Sequence, residues 1–246
     1  MTIREEVKAI IKSDEINNDV KEIMEIFFEM IFEEISQPVQ LVSKTFNMVI
    51  TLREKLLLSK FRLFIDGVFI NSEDRIKISQ LFDSPKEKLE YIQILIKTLD
   101  DVETEAKVKY LINLTRALLV GIIEDKNDYY RMFNCVRTVL EQDLNFLSNN
   151  IESHELTNSV HVDFLFQAGL MYKSYDAGTM AKEVDKYSFT ALAQMLDQCA
   201  LKYDKDILKT AERIRNLKGT HHQGKTAGLS YRVVDSTLYL NENEKI

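Results

Sequence analysis

"FIDGVFINSEDRIKISQLF", Phe64 to Phe82, carries the signals that set the fold. Gly67 reads as the left-handed residue that ends one helix. Asn71 or Ser72 reads as the cap that starts the next, with Glu73 and Asp74 in its first turn, where the helix dipole favours anions. "GIIEDKNDYYRMF", from Gly121, repeats the arrangement 54 residues later: Ile123 takes the place of Phe69 and Asp125 that of Asn71. The unit helix–Gly–aliphatic–cap–helix thus occurs twice, which predicts a pseudo-repeat of helical hairpins.

Working outward, Ser84-Pro85 is a cap followed by proline at the first helical position, opening a helix to Leu99. Asp100 or Asp101 is then expected to cap a helix running to about Ile123. Residues 3–15 read as a short amphipathic helix. Residues 18–35, "NDVKEIMEIFFEMIFEEI", are apolar over most of a helix's girth, with a polar stripe of Glu22, Glu25, Glu29 and Glu33. So wide an apolar surface needs cover on several sides or from a partner chain, so self-association is expected there. Pro38 breaks the pattern. "PVQLVSKTFNMVI" starts another helix, and Leu52–Ile65 is a further helical stretch.

"LSNNIESHELTNS", Leu147 to Ser159, is polar and breaker-rich and marks the expected domain boundary. After it, "VHVDFLFQAGLM" is a short helix ending at Gly169. "MYKSYDAGTMAKEVDKYSF" reads as two strands around a turn at Asp176–Gly178. Thr190 caps "ALAQMLDQCALKY", 204–218 is helical, and "LSYRVVDSTLYL" suggests a closing strand pair. The expected fold is mainly α: a bundle of repeated helical hairpins over 1–150, then a small α+β module with a basic tail over 151–246.

Composition agrees. The 246 residues contain two prolines and seven glycines, 45% of the chain is apolar, and the formal net charge is −7. Few breakers suit long helices, and the acidic balance argues against a general nucleic-acid coat. Residues 1–35 carry a net −6 and residues 202–232 a net +5, a polarity able to steer a partner. Cys135 and Cys199 form no C-x-x-C pair, which suits a reducing cytoplasm. The start has no apolar signal-peptide core. The longest apolar runs, such as "ALLVGII", are shorter than the roughly 18 residues of a membrane span.

"KGTHHQGKTAG", Lys218 to Gly228, places Gly219, Gly224, Lys225 and Thr226 on G-x-x-x-x-G-K-S/T. A phosphate loop needs a buried strand before the glycines and a helix after them. Here polar, helix-like residues precede, a β-rich run follows, and only 20 residues remain after Thr226. These neighbours favour a flexible, basic, Gly-rich loop, with a loop that contacts phosphate or a partner as the alternative and nucleotide hydrolysis behind both. Lys209, Arg213, Arg215 and Lys218 form a basic patch beside it. His221-His222 has no third metal ligand close in sequence. His161 and Asp163 read as a surface pair. The Glu22–Glu33 stripe lacks the Glu-x-x-His pairs of a di-metal bundle, and no G-x-S-x-G occurs.

Two stretches resemble known families. "IDGVFINSE" is similar to the A/V-D-G-x-I/V-x-x-x-E signature of the tellurite-resistance TerB-like helical domains. Asp66, Gly67 and Glu73 fall on its key positions, and Phe69 stands where Ile or Val is preferred. The resemblance extends over about Leu52 to Ser148. It implies Asp66 and Glu73 as divalent-metal candidates, and a bacterial stress or phage-conflict setting. The second hairpin has Val120 where an Asp is expected. "FLFQAGLM", a polar hairpin and "KYSFTALAQML" resemble the helix–wing–Y-x-L/F-T-x-x-G/A ending of winged-helix regulators, over Val160 to Tyr203. A DNA reader wants a basic recognition helix, whereas Val160–Gln167 has one Asp and no Lys or Arg.

The favoured reading is a cytoplasmic, non-catalytic bacterial or phage protein that binds another protein, needs no cofactor and makes no membrane contact. The first alternative is a nucleic-acid-binding regulator using the basic region 202–232. The second is an enzyme dependent on a metal or a nucleotide.

Overall fold

The computed structural model describes residues 18–32, 52–174 and 185–203. The expected helices at 3–15, 38–50 and 204–218, the turn at Asp176–Gly178, the closing strand pair, the Gly219–Thr226 loop, the His221-His222 pair and the basic patch from Lys209 to Lys218 lie outside these residues. Among the described residues helix dominates, with one small antiparallel sheet. None of their helices is long and apolar enough to cross a membrane. The chain divides into two compact units, residues 1–108 and 109–246. The polar stretch 147–159 falls inside the second.

In the first unit, α1 (Asn18–Phe32) packs on α3 (Ser72–Leu81) and α4 (Pro85–Asp101), and α2 (Leu52–Val68) packs on α4. Aromatic rings form the seam. Phe27 stacks on Phe61 with centroids 3.3 Å apart, Phe82 stacks on Tyr91 at 4.5 Å, and Phe32 meets Tyr91 edge-on at 6.3 Å. Met24, Phe27, Phe28, Met30 and Ile31 are all buried. The apolar surface of α1 thus finds cover within its own unit.

The caps explain where the helices begin. Asn71 and Asp74 make a reciprocal capping box at the start of α3, with the Asp74 N–H donating to Asn71 Oδ1 at 3.0 Å. Asp74 Oδ2 also accepts from the Ile70 N–H at 3.0 Å. Ser84 caps α4 ahead of Pro85, as the sequence implies. Two expectations are corrected. Gly67 is not a left-handed terminator. It lies inside α2, where the Phe69 N–H still donates to the Ile65 carbonyl at 3.0 Å, and the chain leaves through an extended Asn71 instead. Asp100 and Asp101 do not cap the following helix. They complete α4, and the Val102 N–H closes on the Thr98 carbonyl at 3.0 Å. Thr104 accepts the Lys107 N–H at 3.3 Å at the start of α5 (Glu105–Leu119).

Lys60 on α2 closes the end of α4. Its ammonium donates to the carbonyls of Leu99 at 3.0 Å and Val102 at 2.7 Å. A cation there meets both the unpaired carbonyls and the negative end of the helix dipole. Arg53 grips Asp100 with two hydrogen bonds, and this contact holds the Asp100 carboxyl below its ordinary range.

In the second unit, α5 is followed by α6 (Lys126–Thr138), α7 (Glu141–Asn150), β1 (Leu156–Thr157), α8 (Val160–Gln167), β2 (Met171–Ser174), β3 (Lys186–Phe189) and α9 (Ala191–Leu196). A π-helical turn, Asp197–Leu201, extends α9. Here Gly121 does what its sequence position implies. At φ 72 it lets the Ile122 N–H reach back to the Ala117 carbonyl at 2.9 Å, and Asp125 caps α6. Gly169, at φ 75, ends α8 in the same way, with the Leu170 N–H on the Leu165 carbonyl at 2.9 Å. The two expected strands pair antiparallel, Met171 opposite Phe189 and Ser174 opposite Lys186. β1 adds to the far side of β3, so the order is β1-β3-β2. Thr190 accepts the Ala193 N–H and donates to the Gly169 carbonyl, both at 3.2 Å, tying the end of α8 to the start of α9.

The two glycine environments give opposite expectations. Gly169→Ala meets no atom within 4 Å but must hold φ +75, so it lowers stability by about 1 kcal/mol. Gly67→Ala, in a right-handed helix, raises stability by up to about 1 kcal/mol. Urea unfolding of both variants measures the difference.

Candidate functional site

"VHVDFLFQ" places apolar side chains on two opposite faces of an eight-residue helix, with His161, Asp163 and Gln167 between them. Val162 and Leu165 are fully buried, whereas Val160 and Phe164, one turn apart on the opposite face, are 68% and 50% exposed. Phe166 projects at the flank and meets Tyr187 edge-on at 5.6 Å. A helix that is apolar on both faces is ordinarily buried on both, and exposed apolar clusters mark contact surfaces.

The start of this helix is held rigidly. Ser159 accepts the Val162 N–H at 3.3 Å. The His161 ring lies 2.6 Å through Nδ1 from Oδ1 of buried Asp143 on α7, and stacks on Phe146 at 4.9 Å. The sequence pairs His161 with Asp163. The structure pairs it with Asp143, 18 residues away, a distance at which no local pattern signals the contact. These contacts tie the start of α8 to α7 and leave its outward face exposed.

The carried-over metal candidates sit differently. Asp66 is exposed and lies 3.7 Å from Arg62, one turn earlier on α2. Glu73 is exposed in the first turn of α3. Among the described residues no group of three or more His, Cys, Asp or Glu side chains gathers as a metal-binding set. The carboxylate of that stretch with clear work is Asp74, and its work is to cap α3.

Both thiols are buried and reduced. Burial pushes Cys135 up to about 11 and Cys199 up to about 12, leaving almost no thiolate at neutral pH. Asp128, in the first turn of α6, is buried with Oδ2 accepting no hydrogen bond. Burial raises its carboxyl above the ordinary range, Asp125 adds to the effect, and Arg131, 3.7 Å away, opposes it. No family model, curated protein or solved structure matches the chain.

Two measurements follow from these groups. Asp128→Asn raises the melting temperature at pH 7. A folded pKa above the unfolded one means lost stability as pH rises through it, so the gain disappears towards about pH 3, where both states are protonated. A thiol-disulfide colorimetric reagent reacts with neither cysteine in the native chain and with both after unfolding in urea.

Proposed function

We propose that the chain is a non-catalytic interaction protein that works by binding another protein, with the outward face of α8 at the centre of the contact. The observation that carries this reading is the exposure of Val160 and Phe164 on a short helix whose opposite face is already buried. The helix carries Asp163 and no Lys or Arg, so it offers little to a phosphate backbone and much to an apolar protein surface. The sheet order β1-β3-β2, with α8 leading into the β2–β3 hairpin and α9 following, supports a winged-helix-like module used for protein contact. A cytoplasmic setting rests on the two separate cysteines, and a role in bacterial stress or phage conflict rests on the TerB-like resemblance alone. The repeat of helical hairpins rests on the sequence pattern shared by Gly67–Asn71 and Gly121–Asp125, and the caps at Asn71 and Asp125 support it.

Affinity capture from native-host lysate, with wild type and Phe164→Ser side by side, tests the proposal. One protein should be retained by wild type and lost or weakened at least tenfold by the variant, the ~1.4 kcal/mol a modest hot spot supplies. The melting temperature should fall by only a few degrees, because the side chain removed is half exposed, and the variant is compared where it is fully folded. Equal retention by both chains removes α8 from the contact.

A further inference from the structure

Lys88 is 5% exposed, and a lysine is seldom buried so far without a carboxylate partner. Its ammonium donates one hydrogen bond, to Ser79 Oγ at 2.9 Å, and lies 5.3 Å from the centre of the Phe32 ring. Asp83 attracts it only at longer range, and burial pushes its pKa below the ordinary lysine value. A hydroxyl and a ring face replace only part of the hydration that a buried ammonium loses.

The two groups that hold Lys88 both line a cleft. Phe32 at the end of α1, with Ser72, Arg75, Ile76, Ser79 and Gln80 of α3, encloses about 310 Å³. That is the lower size range of small-molecule sites. Among the described residues that line it, Arg75 carries the one charge. Arg75 donates to the Met30 carbonyl and lies 5.2 Å from the centre of the Phe69 ring, which orients it. Phe32 and Ile76 supply an apolar wall. The cleft follows α3 for about two turns, roughly 10 Å from Ser72 to Ser79. At the Ser72 end, Glu73 and Asp74 offset the positive end of the helix dipole. The uncompensated positive charge lies at the other end, behind Ser79.

We infer that this cleft binds a small organic carboxylate with an apolar body, its acid group at Ser79 in front of Lys88 and its body against Phe32 and Ile76. Ser79 donates to the carboxylate while accepting from Lys88, so the buried ammonium gains its counter-charge through the hydroxyl. Arg75 strengthens the preference for an anion along the cleft.

Naphthalene-2-carboxylate and the neutral naphthalene-2-methanol, titrated calorimetrically into the full chain, test the site. Wild type should bind the carboxylate at least tenfold more tightly than the alcohol. Lys88→Met keeps the stem and removes the charge, and should cut that preference at least threefold while leaving alcohol affinity unchanged; an undiminished preference overturns the inference. Gln80→Glu alters an exposed lining residue, so folding is preserved, and should weaken the carboxylate alone. Equal affinity of wild type for the two probes, absence of saturable binding, or an unchanged preference in Gln80→Glu overturns the inference. None of these outcomes bears on Phe164, so the site stands or falls apart from the protein contact proposed for α8.

Discussion

Each helix leaves up to four carbonyls without donors at its C-terminal end, and the way this chain supplies those donors positions the side chains that matter. α5 and α8 use a glycine at positive φ and a back-reaching N–H. α4 uses an ammonium from a neighbouring helix, Lys60, so the stop is also a tertiary contact. That difference has structural consequences. A glycine stop is local and turns the chain sharply, as at Gly169, where strand β2 begins two residues later. A lysine stop works only when α2 is already packed on α4, so it couples the termination of one helix to the seating of another. The aromatic seam of Phe27, Phe61, Phe82 and Tyr91 forms where these helices are held in register.

Buried polar groups fall into two kinds. Some are answered locally: Asp74 by three backbone and side-chain contacts of its capping box, and Thr115 by the Leu111 carbonyl at 2.8 Å and the Tyr129 hydroxyl at 3.0 Å. These specify geometry at little net cost, because each polar atom exchanges water for a protein partner. Others are answered in part. Lys88 has one hydroxyl and a ring face, and Asp128 has an unpaired oxygen and a distant arginine. Both are displaced by burial in the direction that favours their neutral form. Lys88 sits behind the cleft along α3, and that coincidence gives its burial a use, whereas the burial of Asp128 is a cost of packing α6.

Signals confined to a few residues were legible in the sequence. Asn71, Ser84, Asp125 and Thr190 act as caps because a short polar side chain before an apolar periodic run has few other uses. The strands at Met171–Ser174 and Lys186–Phe189 followed from aromatic and alternating residues. Gly67 misled because glycine permits a left-handed turn without requiring one, and its neighbours' hydrogen bonds kept the helix going. Asp100 and Asp101 misled because an acidic pair looks alike as a cap and as the partner of a distant arginine. Asp143–His161 and Ser79–Lys88 join separate elements, so no spacing rule reveals them. The cover of α1 was equally hidden: periodicity shows that a face needs burial, not which surface provides it.

The exposed face of α8 sets a limit on the protein contact proposed around it. Eight helical residues span about 12 Å, so one face of them covers only a part of the roughly 800 Å² per partner of a stable contact. Completing the burial of two half-exposed apolar side chains yields on the order of 2–3 kcal/mol at about 25 cal/mol per Å². That does not offset the several kcal/mol that association removes in translational and rotational freedom. The face can therefore serve only as the anchor of a wider contact, whose remaining area comes from neighbouring surface of the same unit. Tyr172, 51% exposed on β2, belongs to that unit and has the amphipathic character such margins favour. Rigidity then becomes the main advantage of this helix. With Ser159, Asp143 and Gly169 fixing both its ends, docking freezes little that is not already fixed, and a small anchor contributes close to its full burial energy.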